Sequence, residues 1–226
     1  MRALRRVMRV WSASGLVGLV RAIRSRTWQS TRFVQFRLDL EAWEPGPPPP
    51  PPLEVRTGLP ELRRFREHAS EALPVQFCQD ELRGASRPYL GLWQGEVGHI
   101  SWLFTAAGHG RRLRLVHLGP DEVELDGAYT FRTFRGKGLL SVVEREMLRD
   151  AKREGARVAY THVEEDNVAS IKGVIKTGFA PHGIVTFNRL AGVAWTHFRC
   201  IKETEAGPSV AFMQHREEPR RAAIVR

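Results

Sequence analysis

The tightest constraint on this chain is a change of period across TFRTFRGKGLLSVVE, residues 130–144. Before it, Glu122–Phe131 alternates as a strand does. After it, Leu140, Val143, Met147 and Ala151 recur at spacings of three, four and four, which predicts a packed helix to about Glu154, stopped by Gly155. Glu144, Arg145, Arg149, Asp150 and Lys152 fall off that stripe and are expected in solvent. The junction thus places Gly136, Gly138, Arg135 and Lys137 at a helix N-terminus, where free N–H groups and the macrodipole favour an anion. Glycine removes the side chains that would hold a phosphate away. The loop lacks the Gly-Lys-Ser/Thr ending of a P-loop and the dinucleotide fingerprint, so a phosphate cradle and an ordinary basic turn are both open on this stretch alone.

Around that junction the chain reads as strands and helices in mixed order. TRFVQFRLDL alternates as a strand, and EPGPPPPPPL imposes an extended polyproline spacer and a domain boundary. Leu53–Arg56 follows as a strand and Pro60–Ser70 as a helix. YLGLWQGEVGHISWLFTAA reads as a hairpin turning near Gln94-Gly95. After the central helix come a strand in RVAYTHV, a short helix over Val168–Thr177 closed by Gly178, and strands in FAPHGIVTFNRL and VAWTHFRC.

The net charge of +10 would suggest a nucleic-acid partner if it were spread over the fold. It is not, because the first 38 residues hold nine Arg and no acid, leaving 26 Lys and Arg against 25 Asp and Glu beyond them. The stretch over residues 1–28 has the pattern of a basic amphipathic helix, with Leu4, Val7, Met8 and Trp11 on one stripe. It fits an interfacial helix on an anionic membrane or acidic partner, and equally a helix packed on the domain. Its apolar run, Ala13–Val20, is too short to span a bilayer and lacks a secretory cleavage site. Cys78 and Cys200 have neither metal nor redox spacing, which points to a reducing compartment.

Arg135 and Gly138 in Arg135-Gly136-Lys137-Gly138, then Asn167 with Gly178-Phe179 eleven residues on, resemble the signatures of the GNAT (GCN5-related) N-acetyltransferase superfamily. The order of elements from Leu53 to about Leu190 is similar too. Two positions depart from the pattern: Leu140 stands where Gly or Ala is usual, and Val174 where many members carry the Tyr that acts as general acid. Tyr129, Tyr160 and His162 are the substitutes for that acid.

The resemblance implies a GNAT-like α+β fold, a mixed and mostly antiparallel sheet flanked by helices, over residues 53–202. The arm with its strand (1–44), the polyproline linker (45–52) and a loosely held tail (203–226) flank it. It further implies acetyl-CoA or another acyl-CoA as co-substrate and no metal. The pyrophosphate would lie on residues 135–141, which include Leu139 and Ser141, and the pantetheine along Ala128, Tyr129 and Thr130, with Asn167 beside it. A free alkylamine with a pKa of about 10.4 is almost wholly protonated at neutral pH, so transfer to a primary amine needs a base. Strand alternation puts Glu122, Glu124, Asp126, Ala128 and Thr130 on one face, which makes Glu124 and Asp126 the base candidates. The expected protein is a cytoplasmic enzyme, free or peripheral at a membrane, acting on a small-molecule amine, with a homodimer left open. The acceptor would be read by loops around residues 72–87 and 105–120. A non-catalytic acyl-CoA-binding domain and a membrane- or nucleic-acid-associated interaction protein are the alternatives.

Overall fold

The computed structural model describes residues 28–69, 72–83, 85, 87–107, 115, 117–190 and 193–201. The basic arm over 1–27, part of the 105–120 loop and the tail from 202 lie outside the described residues. Eight strands form one sheet: β1 (Trp28–Asp39), β2 (Leu53–Thr57), β3 (Arg87–Trp93), β4 (Glu96–Thr105), β5 (Glu122–Thr130), β6 (Val158–Glu164), β7 (Ala180–Leu190) and β8 (Val193–Cys200). The helices are α1 (Leu59–His68), α2 (Gln79–Arg83), α3 (Leu139–Arg153) and α4 (Val168–Lys176). The sheet order is β2-β3-β4-β5-β6-β1-β7-β8, and among the described residues only β5 and β6 pair in parallel. This is the α+β architecture expected from the element order. The β3–β4 hairpin turns at Gln94-Gly95, whose φ angles of 53° and 84° are the left-handed pair that a two-residue turn needs.

The sheet does not follow the division at the prolines. β1 pairs antiparallel with β6 on one side and β7 on the other, so the strand N-terminal to the proline run lies inside the sheet. Five strand spacings of about 4.8 Å separate β1 from β2, or about 24 Å. An extended segment advancing about 3.1 Å per residue crosses that distance with room to spare, and the prolines make the crossing. Helix α3 holds the segment down: Lys152 Nζ donates to the Trp43 carbonyl at 2.7 Å, and Arg149 reaches the Pro45 and Gly46 carbonyls at 3.2 Å.

Each face of the sheet carries its own core. Val34, Phe36, Leu38, Val123, Leu125, Ala159 and Val163 point toward α3 and α4 and pack on Val143, Met147, Ile171 and Val174. On the other face Leu90, Leu92, Ile100, Trp102 and Phe104 pack on Leu62 of α1 and on Phe77. Helix α3 is buried over more than the expected stripe. Glu144, expected in solvent, is 3% exposed and accepts a hydrogen bond from Thr177 Oγ1 at 2.8 Å. The cause is α4, which covers a second side of α3 that the pattern of α3 alone does not reveal.

Candidate functional site

The β5–β6 ladder runs only from Glu122–Val158 to Leu125–Thr161. Beyond it the two strands part. The parting coincides with a bulge in β5: Asp126 pairs with Trp102 and Tyr129 with Ile100, so Gly127 and Ala128 together oppose the single Ser101. Gly127 has φ +67°, and a Cβ there would lie 3.1 Å from Trp102 Cδ1, so both conformation and space call for glycine.

The bulge also overturns the expected alternation. Glu124 pairs with Phe104 and Asp126 with Trp102, which puts both on the α1 face of the sheet with Tyr129. Thr130 pairs with His99 on the opposite face. The two base candidates therefore do not share a face with Thr130, because the extra residue shifts the alternation by one.

A cavity of about 560 Å³ opens at the parting, within the usual range of ligand pockets. The structure brings ten of the eleven expected cofactor-contacting residues to its wall: Ala128, Tyr129, Thr130, Arg135, Gly136, Gly138, Leu139, Leu140, Ser141 and Asn167. Lys137 is not among the lining residues, and its ammonium lies over the Trp93 ring at 4.6 Å and the Phe134 ring at 5.0 Å. Gly138 caps α3 in the left-handed conformation at φ 80°. Nothing lies within 4 Å of where a Cβ on Gly136 or Gly138 would stand, so a phosphate can approach the loop backbone and the first turn of α3. Arg135 folds back, its Nε donating to the Thr130 carbonyl at 3.3 Å.

Sequence reasoning missed part of the wall. Lys172, Gly173 and Lys176 of α4 line the cavity, and their helical spacing after Asn167 was a usable signal. His99 lines it as well, fully buried between Thr130 Oγ1 at 2.7 Å and Ser101 Oγ at 2.9 Å, and burial pushes its imidazole down to about 3. It stays neutral and serves as a fixed donor and acceptor. Asn167 also caps α4, its Oδ1 accepting from Ser170 N at 3.2 Å. Val174 is buried in the core at 2% exposure. Of the three substitutes for the missing tyrosine, Tyr129 lines the cavity, while Tyr160 bonds Glu122 at 3.1 Å and His162 bonds Glu124 at 3.0 Å.

A family model described as the acetyltransferase (GNAT) family matches residues 56–179. Among solved structures, a GNAT-family chain from Novosphingobium aromaticivorans matches at 16% identity and TM-score 0.52, covering 73% of this chain and 66% of that one. A GCN5-related N-acetyltransferase from Kribbella flavida matches at 14% identity and TM-score 0.48, covering 78% and 64%. One from Sphaerobacter thermophilus matches at 13% and 0.49, covering 84% and 58%. The chain therefore spans just under two thirds, or less, of the length of these structures. Identities this low speak to fold alone. No curated protein matches the chain.

Proposed function

The chain belongs to the acetyltransferase (GNAT) family, and from that membership we propose that it transfers an acetyl group from acetyl-CoA to a primary amine while both substrates are bound. The observation that carries the reading is the cavity where β5 leaves β6, walled by the glycine loop, the start of α3 and Ala128–Thr130. Acetyl-CoA supplies the thioester. The amides over residues 135–141 hold its pyrophosphate, Arg135 adds charge, and the bulged backbone of β5 lies along its pantetheine arm. Glu124 takes the amine's proton through water in the gap, since it is 2% exposed. Asp126, half-buried with its Oδ1 held by the Gly127 N–H at 2.6 Å, draws the ammonium to the gap. Tyr129 is the phenol placed to return a proton to the leaving sulfur. Val174, apolar where many members carry a tyrosine, favours a second reading in which acyl-CoA binds without turnover.

Calorimetric titration of the full chain with acetyl-CoA and CoA tests the proposal, beside Arg135→Ala and Gly138→Glu. The wild type is expected to bind both ligands. Each variant should bind at least about tenfold more weakly, the loss of one charge-assisted phosphate contact being worth roughly 1.5–3 kcal/mol. A folded wild-type chain that binds neither ligand sinks the acyltransferase reading. Binding without CoA release on a panel of primary amines selects the second reading.

A further inference from the structure

A buried chain of three side chains crosses the sheet just where β5 and β6 part. His162 Nδ1 lies 3.0 Å from Glu124 Oε1, and His162 Nε2 lies 3.0 Å from Gln35 Nε2. Glu124 is 2% and Gln35 4% exposed, and the His162 side chain is 3% exposed. The three come from three strands, β5, β6 and β1. Gln35 also lies outside residues 56–179, so this end of the chain is not part of the family match.

The carboxylate dictates the direction of the chain. An ionised Glu124 can only accept, so Nδ1 of His162 must carry the proton between them. A neutral imidazole then has its lone pair on Nε2, which requires a donor, and the Gln35 amide meets it with its NH₂ group. Turned over, the same amide would present its oxygen to Nε2 and favour a proton there. That state leaves either a lone pair facing the carboxylate or an imidazolium beside it. Gln35 therefore selects the tautomer of His162, and that tautomer fixes the Oε1 oxygen of Glu124.

We propose that Gln35 and His162 are a positioning pair for Glu124, and that the N-terminal strand β1 thereby completes the catalytic site from outside the residues that match the family. The inference rests on the acyltransferase reading for the role of Glu124. The step it serves is balanced: the ammonium loses one proton to Glu124, the amine nitrogen bonds the acetyl carbon, the carbon–sulfur bond breaks, and the nitrogen's second proton offsets the one Tyr129 gives the departing sulfur, leaving the amide and CoA thiol. Around the pair on the same side of the sheet stand Glu122, joined to the Tyr160 hydroxyl, Asp126 and Glu164. Arg37 of β1 stands two residues from Gln35, and His182 of β7 lies 6.3 Å from the Tyr160 ring between centroids. Tyr160 and His182 are each shifted toward their neutral forms by burial. Both ring nitrogens of His162 are engaged, Nδ1 by Glu124 and Nε2 by Gln35, so these two groups set its tautomer.

The test uses the full chain with Gln35→Glu, Gln35→Leu and His162→Asn. Long-range ¹H–¹⁵N spectra of the imidazoles at neutral pH should show His162 neutral with its proton on Nδ1 in the wild type. Gln35→Glu should turn it into an imidazolium, and Gln35→Leu should mix the tautomers. CoA release is then followed with phenethylamine and with ethanolamine across pH. Gln35→Glu and His162→Asn should lower kcat at least about tenfold and displace the pH profile, with KM for acetyl-CoA and the melting temperature nearly unchanged. A wild-type His162 carrying its proton on Nε2, or charged, overturns the proposal whatever the kinetics. So do variants that keep the wild-type rate and profile. A folded wild type that binds acetyl-CoA but releases no CoA with either amine also overturns it, since there is then no base to position. Failure to bind acetyl-CoA at all sinks the parent reading instead, and calorimetry tells the two apart.

Discussion

Glu144 lies 3% exposed beneath α4, and burial raises its carboxyl from an ordinary 4.5 to about 7, partly offset by the hydroxyl donated from Thr177. A carboxyl raised in the folded state binds its proton more tightly there than in the unfolded chain. Below about pH 4.5 both states are protonated and stability is undiminished. As pH rises from about 4.5 to about 7 the unfolded chain releases the proton first, and stability falls. At about 1.36 kcal/mol per unit the loss reaches up to about 3 kcal/mol above neutrality. Glu144→Gln keeps an acceptor for Thr177 and removes the titration. Urea unfolding at pH 5 and pH 8 should therefore find the variant more stable than wild type at pH 8 and close to it at pH 5. Equal pH dependence in the two proteins would show that Glu144 is solvated. At this scale the sequence is legible only where a residue's neighbours are local. Gln94 and Gly95 announce their turn by themselves, whereas the burial of Glu144 depends on a helix more than twenty positions away.

The strand β5 does its work through one irregularity. Regular alternation would keep Glu124, Asp126 and Thr130 on one face, and the two-against-one pairing at Ser101 separates them. The loop and the helix after it were legible because glycine, charge and a 3.6-residue period are local signals. The bulge was legible only as a glycine inside a strand, which fits several causes. Gly127→Val tests its importance. A β-branched residue at φ +67°, 3.1 Å from Trp102, is strained in both backbone and packing. The variant should lose roughly 2–4 kcal/mol by denaturant unfolding. Where it still folds, acetyl-CoA should bind more weakly, because straightening β5 moves Ala128–Thr130 in the cavity wall. An unchanged affinity in a folded Gly127→Val protein would mean that the bulge does not shape the cavity.

On the scale of the molecule the decisive element is β1. Its period-two pattern was visible in the sequence, but periodicity names a strand without naming its neighbours, and the proline run read as the edge of a domain. In the sheet β1 fills the space between β6 and β7, burying Val34 and Phe36 completely and Leu38 to 7% exposure. At roughly 1.5–3 kcal/mol each, these three side chains alone are comparable with the entire stability of a typical domain, about 5–15 kcal/mol. Removing β1 would also expose backbone groups along β6 and β7, two new edges open to aggregation. A chain beginning at residue 40 should therefore fail to fold, whereas one beginning at residue 28 should keep the melting transition and the acetyl-CoA affinity of the full chain. Circular dichroism melting and calorimetry on both truncations decide it. If the shorter chain folds and binds as tightly as the longer, β1 is an accessory and the linkage of Gln35 to the site goes with it. If only the longer one folds, the strand ahead of the prolines belongs to the same folding unit as the cavity, and the proline run is a crossing within that unit rather than its edge.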